Sequence, residues 1–233
     1  MITAKFKKDT LASIAKARLV TAPENSLGQW IGYCLWHGTQ QVLTKTVDSF
    51  NSTKCTTYEL RPTEGSKQVR LPDEDGTLKQ IDHAIYLNDV PVVIAESKWL
   101  KDQRHLNDKG SWLKLMREIV REAKTIRQAV LVLGGPWDTY REQMENRGFH
   151  VIITTVDEVY EALRINGVNV QIDPTRNAFI DPKGTLSTLL NVVESKLLQG
   201  VNPFAEIGLQ MLGNQKSEIE KAISNLLTSK LPS

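Results

Sequence analysis

The segment KQIDHAIYLNDVPVVIAESK, residues 79–98, places Asp82 on one extended run and Glu96 and Lys98 at the end of the next. Two carboxylates brought together can hold a hard divalent ion such as Mg²⁺ through oxygen ligands. Such an ion binds a phosphate oxygen and lowers the pKa of an attacking water. A lysine two residues after a glutamate on a strand projects from the same face. There it can orient the water or stabilise charge growing on the phosphate.

The acid-x-Lys spacing carries little by itself, because the chain contains four instances: Glu96-Ser-Lys98, Glu122-Ala-Lys124, Asp181-Pro-Lys183 and Glu194-Ser-Lys196. Context separates them. Glu122 and Glu194 lie in helical patterns, where residues two apart point in different directions. The Asp181 instance contains Pro182, which suits a paired central strand poorly. Only Glu96 ends an apolar β-type run (VVIA) with an Asp on the strand before it.

The hairpin must meet a parity condition for these residues to converge. A strict two-residue turn at Asn88-Asp89 opposes Leu87 to Val90 and Asp82 to Ala95, which puts Asp82 on the wrong face. A three-residue connection through Val90, or a bulge, opposes Asp82 to Glu96. Pro91 cannot donate to the ladder, so an irregular hairpin is expected, and a regular two-residue turn would count against the site. His83 alternates to the opposite face and reads as a packed histidine. The bland alternative for the trio is a strand-end salt bridge.

With these residues in view, the arrangement resembles the PD-(D/E)xK nuclease superfamily, most of all its type II restriction endonucleases. The resemblance covers residues 79–134, and 24–155 when flanking helices and later strands are counted. It implies that Asp82 and Glu96 are metal carboxylates, that Lys98 is the catalytic lysine, and that the cofactor is Mg²⁺. One departure is that Ile81 stands where the family has a proline before the aspartate. Glu24 is a candidate further metal carboxylate, because an N-terminal helix supplies one in some of these nucleases; otherwise it is a helix-start acid favoured by the macrodipole. The activity implied is site-specific hydrolysis of double-stranded DNA, leaving 5′-phosphate and 3′-hydroxyl ends. A two-fold homodimer would match a palindromic site. Rival readings are a repair, resolvase or transposon-end nuclease of the same superfamily, and a non-catalytic DNA-binding module that retains the fold.

Two sets of cations are placed to meet DNA. Lys101, Arg104 and His105 lie in the loop directly after the second run. Lys114, Arg117, Arg121 and Lys124 recur at helical spacing opposite Trp112, Leu115, Met116, Ile119, Ala123 and Ile126, a stripe suited to a phosphate backbone or to solvent.

The elements that must position these groups follow from periodicity. Helices are expected over 8–20, 25–49 (with Asn25 as cap), 111–128, 136–147, 158–165 (with Asp157 as cap), 185–199 and 215–229. Strands are expected over 54–60, 79–87, 91–99, 129–133 and 149–155, with a polar loop through Gly76. The order implies an α/β fold with a restriction-endonuclease-like mixed central sheet flanked by helices, and a helical C-terminal part. One domain is expected, its catalytic core over 24–165 and the helical part over 184–233. Trp30, Trp36, Trp99 and Trp112 read as core residues.

Composition bounds the remainder. With 40% apolar and 24% charged residues the chain is ordinary globular protein, and its net charge of +2 makes any nucleic-acid site a local arrangement. The first ten residues lack an apolar signal region. The apolar runs over 90–95 and 129–133 are too short to cross a bilayer. Cys34 and Cys55 have no metal-ligand spacing, and a reducing cytoplasm is the expected location.

Overall fold

The computed structural model describes residues 2–62, 69–101, 110–173, 175 and 178–229. A mixed five-stranded sheet lies at its centre in the order β1-β4-β5-β6-β7. Strands β1 (Glu59–Arg61), β4 (His83–Leu87) and β5 (Val90–Trp99) are antiparallel neighbours, and β6 (Gln128–Gly134) and β7 (His150–Thr154) continue the sheet in parallel. The parallel pairs are joined by helices α3 (Gly110–Ala123) and α4 (Asp138–Glu145). The chain is thus α/β, as its pattern implies.

β6 reads as an unbroken apolar run because both of its faces are covered. Val130 and Val132 pack with Leu35, Val42, Leu43 and Val47 of the long helix α2 (Pro23–Lys54). Ala129, Leu131 and Leu133 pack with Leu113, Met116 and Ile119 of α3. The sheet therefore has an α2 face and an α3 face, and the parity of each strand residue decides which one it meets.

A third layer backs α2. Helices α6 (Pro182–Leu198) and α7 (Pro203–Leu212) pack against it, with α5 (Val156–Ile165) against α7 and α1 (Ala4–Ala17) alongside α6, whereas α8 (Gln215–Thr228) lies beside α2 and packs directly on the sheet. A short pair, β8 (Ile172–Asp173) and β9 (Ala178–Phe179), precedes α6. The sequence pattern lacks α7, which Asn202 caps through its side chain and Pro203 opens. It crosses α2 backbone to backbone. A Cβ on Gly208 would overlap the Cys34 carbonyl oxygen, and one on Gly38 would overlap the Gly208 backbone.

Boundaries differ from expectation in ways that have local causes. Helix α2 starts at Pro23, so Asn25 lies inside it, and it runs to Lys54 before Cys55 turns it off at φ 52°. The cap of α5 is Thr155 in a reciprocal capping box with Glu158, in place of Asp157. Helix α3 stops at Ala123, where Lys124 takes φ 49°. The expected polar loop before Gly76 contains a strand, β2 (Val69–Pro72), paired antiparallel with β3 (Leu78–Ile81). Trp30, Trp36, Trp99 and Trp112 are half-buried; the fully buried tryptophan is Trp137. Among the described residues no helix is long and apolar enough to cross a membrane.

Candidate active site

Asp82 sits between β3 and β4, and its position follows from one irregularity. The turn at Asn88-Asp89 is a tight two-residue connection opposing Leu87 to Val90, with φ of 51° and 63° at its centre, the left-handed pair that a type I′ hairpin needs. The turn itself is thus the regular two-residue form expected to count against the site, and the three-residue connection through Val90 is not formed. The irregularity lies one step further along: Tyr86 opposes Pro91 and Ile85 opposes Val93, leaving Val92 as a bulge. The exposed polar groups of this kink are taken up from outside the hairpin. The Arg127 N–H donates to the Val92 carbonyl at 2.8 Å and the Thr125 hydroxyl to the Pro91 carbonyl at 2.8 Å.

Beyond the bulge His83 opposes Ala95, and continuing the register by one residue sets Asp82 against Glu96. Both then point to the α3 face with Lys98. His83, Ala95, Ser97 and Trp99 belong to the α2 face, where the fully buried His83 ring lies 4.7 Å from that of Trp36.

The trio is joined by four hydrogen bonds. The Asp82 backbone N–H donates to Glu96 Oε1 at 2.8 Å, and the Ser97 N–H donates to Asp82 Oδ2 at 2.9 Å. Lys98 Nζ donates to Glu96 Oε2 at 2.8 Å and to Asp82 Oδ2 at 3.2 Å. It also lies 5.5 Å from the centroid of the Trp112 ring. Each carboxylate is thus fixed by an amide of the opposite strand, and the ammonium bridges both.

Electrostatics differ sharply between the members. Glu96 is only 2% exposed. Burial, reinforced by the negative charge of Asp82, pushes its carboxyl up to about 7. Lys98 pulls the other way without cancelling these effects. The Lys98 ammonium is opposed by burial, but the two carboxylates outweigh that and raise its pKa above the ordinary lysine value. Without a metal, Lys98 is therefore a cation at neutral pH that donates to both carboxylates.

The donor chemistry fits a small hard cation. Asp82 and Glu96 offer convergent carboxylate oxygens, and a buried carboxyl this reluctant to ionise gains most from a positive ion beside it. Among the described residues no group of three or more His, Cys, Asp or Glu side chains is gathered as a metal cage. The pair would therefore leave remaining coordination positions to water and phosphate. Glu24, in the first turn of α2, is held by an ion pair with Lys101.

The expected DNA contacts divide. Lys101 is committed to Glu24, and Arg104 and His105 lie outside the described residues. On α3, Lys114 pairs with Glu118 at 3.4 Å, and Arg121 pairs with Glu74 at 2.7 Å and Glu122 at 3.2 Å. Exposed Arg117 makes no ion pair among the described residues. The other acid-x-Lys instances fall at the end of α3, where Lys124 is already outside the helix, at the cap of α6 and within α6. Trp112 and Ser97 complete the surroundings of the trio, and periodicity alone gave no sign of either role. Compared with known proteins, the chain matches no family model, no curated protein and no solved structure, and the functional reading rests on this geometry.

Proposed function

We propose that this protein is a Mg²⁺-dependent endonuclease that cuts double-stranded DNA at specific sites as a homodimer, in the manner of a type II restriction enzyme. The observation that carries the reading is the convergence of Asp82, Glu96 and Lys98, held in register by a bulge whose evident consequence is to put both carboxylates on one face. A simple strand-end salt bridge needs neither a 2%-exposed glutamate nor a reciprocal amide lock.

Asp82 and Glu96 would hold the ion. When bound, Mg²⁺ supplies an activated water and charge neutralisation at the phosphate. The protein's own contribution is positional. The Ser97 and Asp82 amides keep the two carboxylates aimed at one point, so little reorganisation is needed on binding. Lys98, released in part from the carboxylates when a cation neutralises them, presents its ammonium to the phosphate oxygens or to the water.

The test is incubation of the purified protein with long duplex DNA in Mg²⁺ or EDTA, followed by sequencing of the ends. Discrete fragments formed only with Mg²⁺, with 5′-phosphates and cuts related by two-fold symmetry, would support the reading in full. Cleavage confined to nicked or branched DNA would move the assignment to a repair or resolvase nuclease. Binding without cleavage of any form would move it to a non-catalytic module.

A further inference from the structure

The ribbon formed by β2 and β3 runs directly into Asp82. Its inner face carries Val69, Leu71 and Ile81, which pack against the α3 side of the core. Its outer face is defined by register: Arg70 opposes Gln80, and Pro72 opposes Leu78. All four are exposed, Leu78 by 60%. Neither Arg70 nor Gln80 makes a side-chain hydrogen bond or ion pair among the described residues, whereas Arg61, Lys79, Lys98, Lys101 and Arg121 are all ion-paired. Of the three acids at the ribbon's tip, Asp73 is paired with Lys79 at 3.3 Å and Glu74 with Arg121 at 2.7 Å, while exposed Asp75 makes no ion pair among the described residues.

We propose that this ribbon is the base-reading element, with Arg70 and Gln80 contacting adjacent bases in the DNA major groove. The proposal rests on the nuclease reading and names the residues that set its sequence preference. A two-stranded β-ribbon fits the major groove, where a guanidinium can bind guanine O6 and N7 together and a glutamine amide can bind adenine N6 and N7. Opposed residues on one face of an antiparallel pair lie about 5 Å apart, between one and two base-pair rises of about 3.4 Å, which long side chains can span. Leu78 and Pro72 beside them offer an apolar shelf for a thymine methyl group. Gln80 is two residues from Asp82, about 7 Å along an extended chain, so the bases read lie within a few pairs of the phosphate at the carboxylates.

The experiment is a binding selection from randomised duplex DNA with the full chain carrying Lys98→Ala, alone and combined with Arg70→Ala, Arg70→Lys or Gln80→Ala. Wild-type cleavage is mapped in parallel. Arg70→Lys keeps the charge but loses the two-pronged contact. The expected result is a motif in which both Arg70 variants lose preference at one G·C position by on the order of 10- to 100-fold. Gln80→Ala should lose preference at a neighbouring position. If Arg70→Ala weakens binding equally on all sequences, or Arg70→Lys leaves the motif intact, Arg70 is a phosphate contact and the proposal fails. A protein that binds no duplex at all also refutes it. Absence of wild-type cleavage defeats the nuclease reading alone, because the selection still decides the roles of Arg70 and Gln80.

Discussion

Asp82 and Glu96 face each other across the β4–β5 hairpin, with the Asp82 backbone N–H bound to Glu96 Oε1 at 2.8 Å. In return the amide after Glu96, that of Ser97, is bound to Asp82 Oδ2 at 2.9 Å. The two acids are therefore held together by backbone donors despite their mutual repulsion. The cost falls on Glu96, whose ionisation is resisted by burial and by Asp82. A divalent ion would relieve that resistance.

Glu96→Gln isolates this effect. The amide oxygen of glutamine can still accept the Asp82 N–H, so the hairpin should keep its form. A carboxyl raised from 4.5 to about 7 resists ionisation by on the order of 3 kcal/mol. The variant should be more stable than wild type above pH 7 without metal, by roughly 1–3 kcal/mol. It should also lose the rise in melting temperature that Mg²⁺ gives the wild type. Thermal melts at pH 8 with and without Mg²⁺ measure both effects.

The pH dependence of the metal-free protein has opposing contributions whose signs differ. Glu96 titrates higher in the folded state, so its contribution is complete below about 4.5 and is lost as pH rises through about 7. Burial pushes His37 down to about 3 and His83 to about 4. The unfolded chain therefore takes up protons at these histidines below about 6.5, and stability falls with acidification toward pH 4. Stability should climb from pH 4 to about 6.5 and flatten near pH 7. In Glu96→Gln the climb between pH 4.5 and 6.5 should be steeper. Urea midpoints across this range test it, and an unchanged slope in the variant would contradict the assignment of Glu96.

Lys98→Met preserves the packing against Trp112 while removing the charge. Cleavage should fall by at least 100-fold, with a near-native fold in Mg²⁺. Without metal the variant should be less stable than wild type above pH 7, because Glu96 loses its cationic partner, and added Mg²⁺ should close the gap. Single-turnover rates and melts in the two conditions separate the chemical from the structural consequence.

On α3 the three stripe cations should not be equivalent. Arg117 makes no ion pair among the described residues, whereas Arg121 is bound by Glu74 and Glu122 and Lys114 by Glu118. Arg117→Ala should weaken duplex binding several-fold and lower the slope of log K against log salt by about 1. Arg121→Ala should change it little. Binding isotherms over a range of salt distinguish them.

The sequence disclosed the convergence of Asp82, Glu96 and Lys98 and the sheet more fully than the helical layer. Asp82, Glu96 and Lys98 were legible because a period of two fixes faces, and a parity conflict at Asn88-Asp89 required an irregularity. Its place was not legible. Asn88 and Asp89 both tolerate left-handed φ and close the tight turn, which displaced the extra residue to Val92. Strand β2 was obscured by its polar neighbours, since VRLP is a short alternation with only two inward residues. Helix α7 lacked an amphipathic signature because one of its faces meets α2 through Gly208 and much of the remainder is buried.

That crossing makes glycine substitutions diverge. Gly208→Ala would force a Cβ into the Cys34 carbonyl, and should cost roughly 1–3 kcal/mol or more. Gly28 lies in the interior of the same α2 helix, and a Cβ there meets nothing within 4 Å. Gly28→Ala should stabilise by about 0.5–1 kcal/mol through helix propensity. Chemical denaturation of the two variants checks the close approach directly.

The most direct measurement is the rate of cutting of one long duplex by wild type, Asp82→Ala, Glu96→Gln and Lys98→Met, each at saturating Mg²⁺ and in EDTA. Wild type should give discrete fragments in Mg²⁺ alone, and each variant should be folded yet slower by at least 100-fold. Cutting by the variants at the wild-type rate, or equal cutting in EDTA, would contradict the assignment of these three residues.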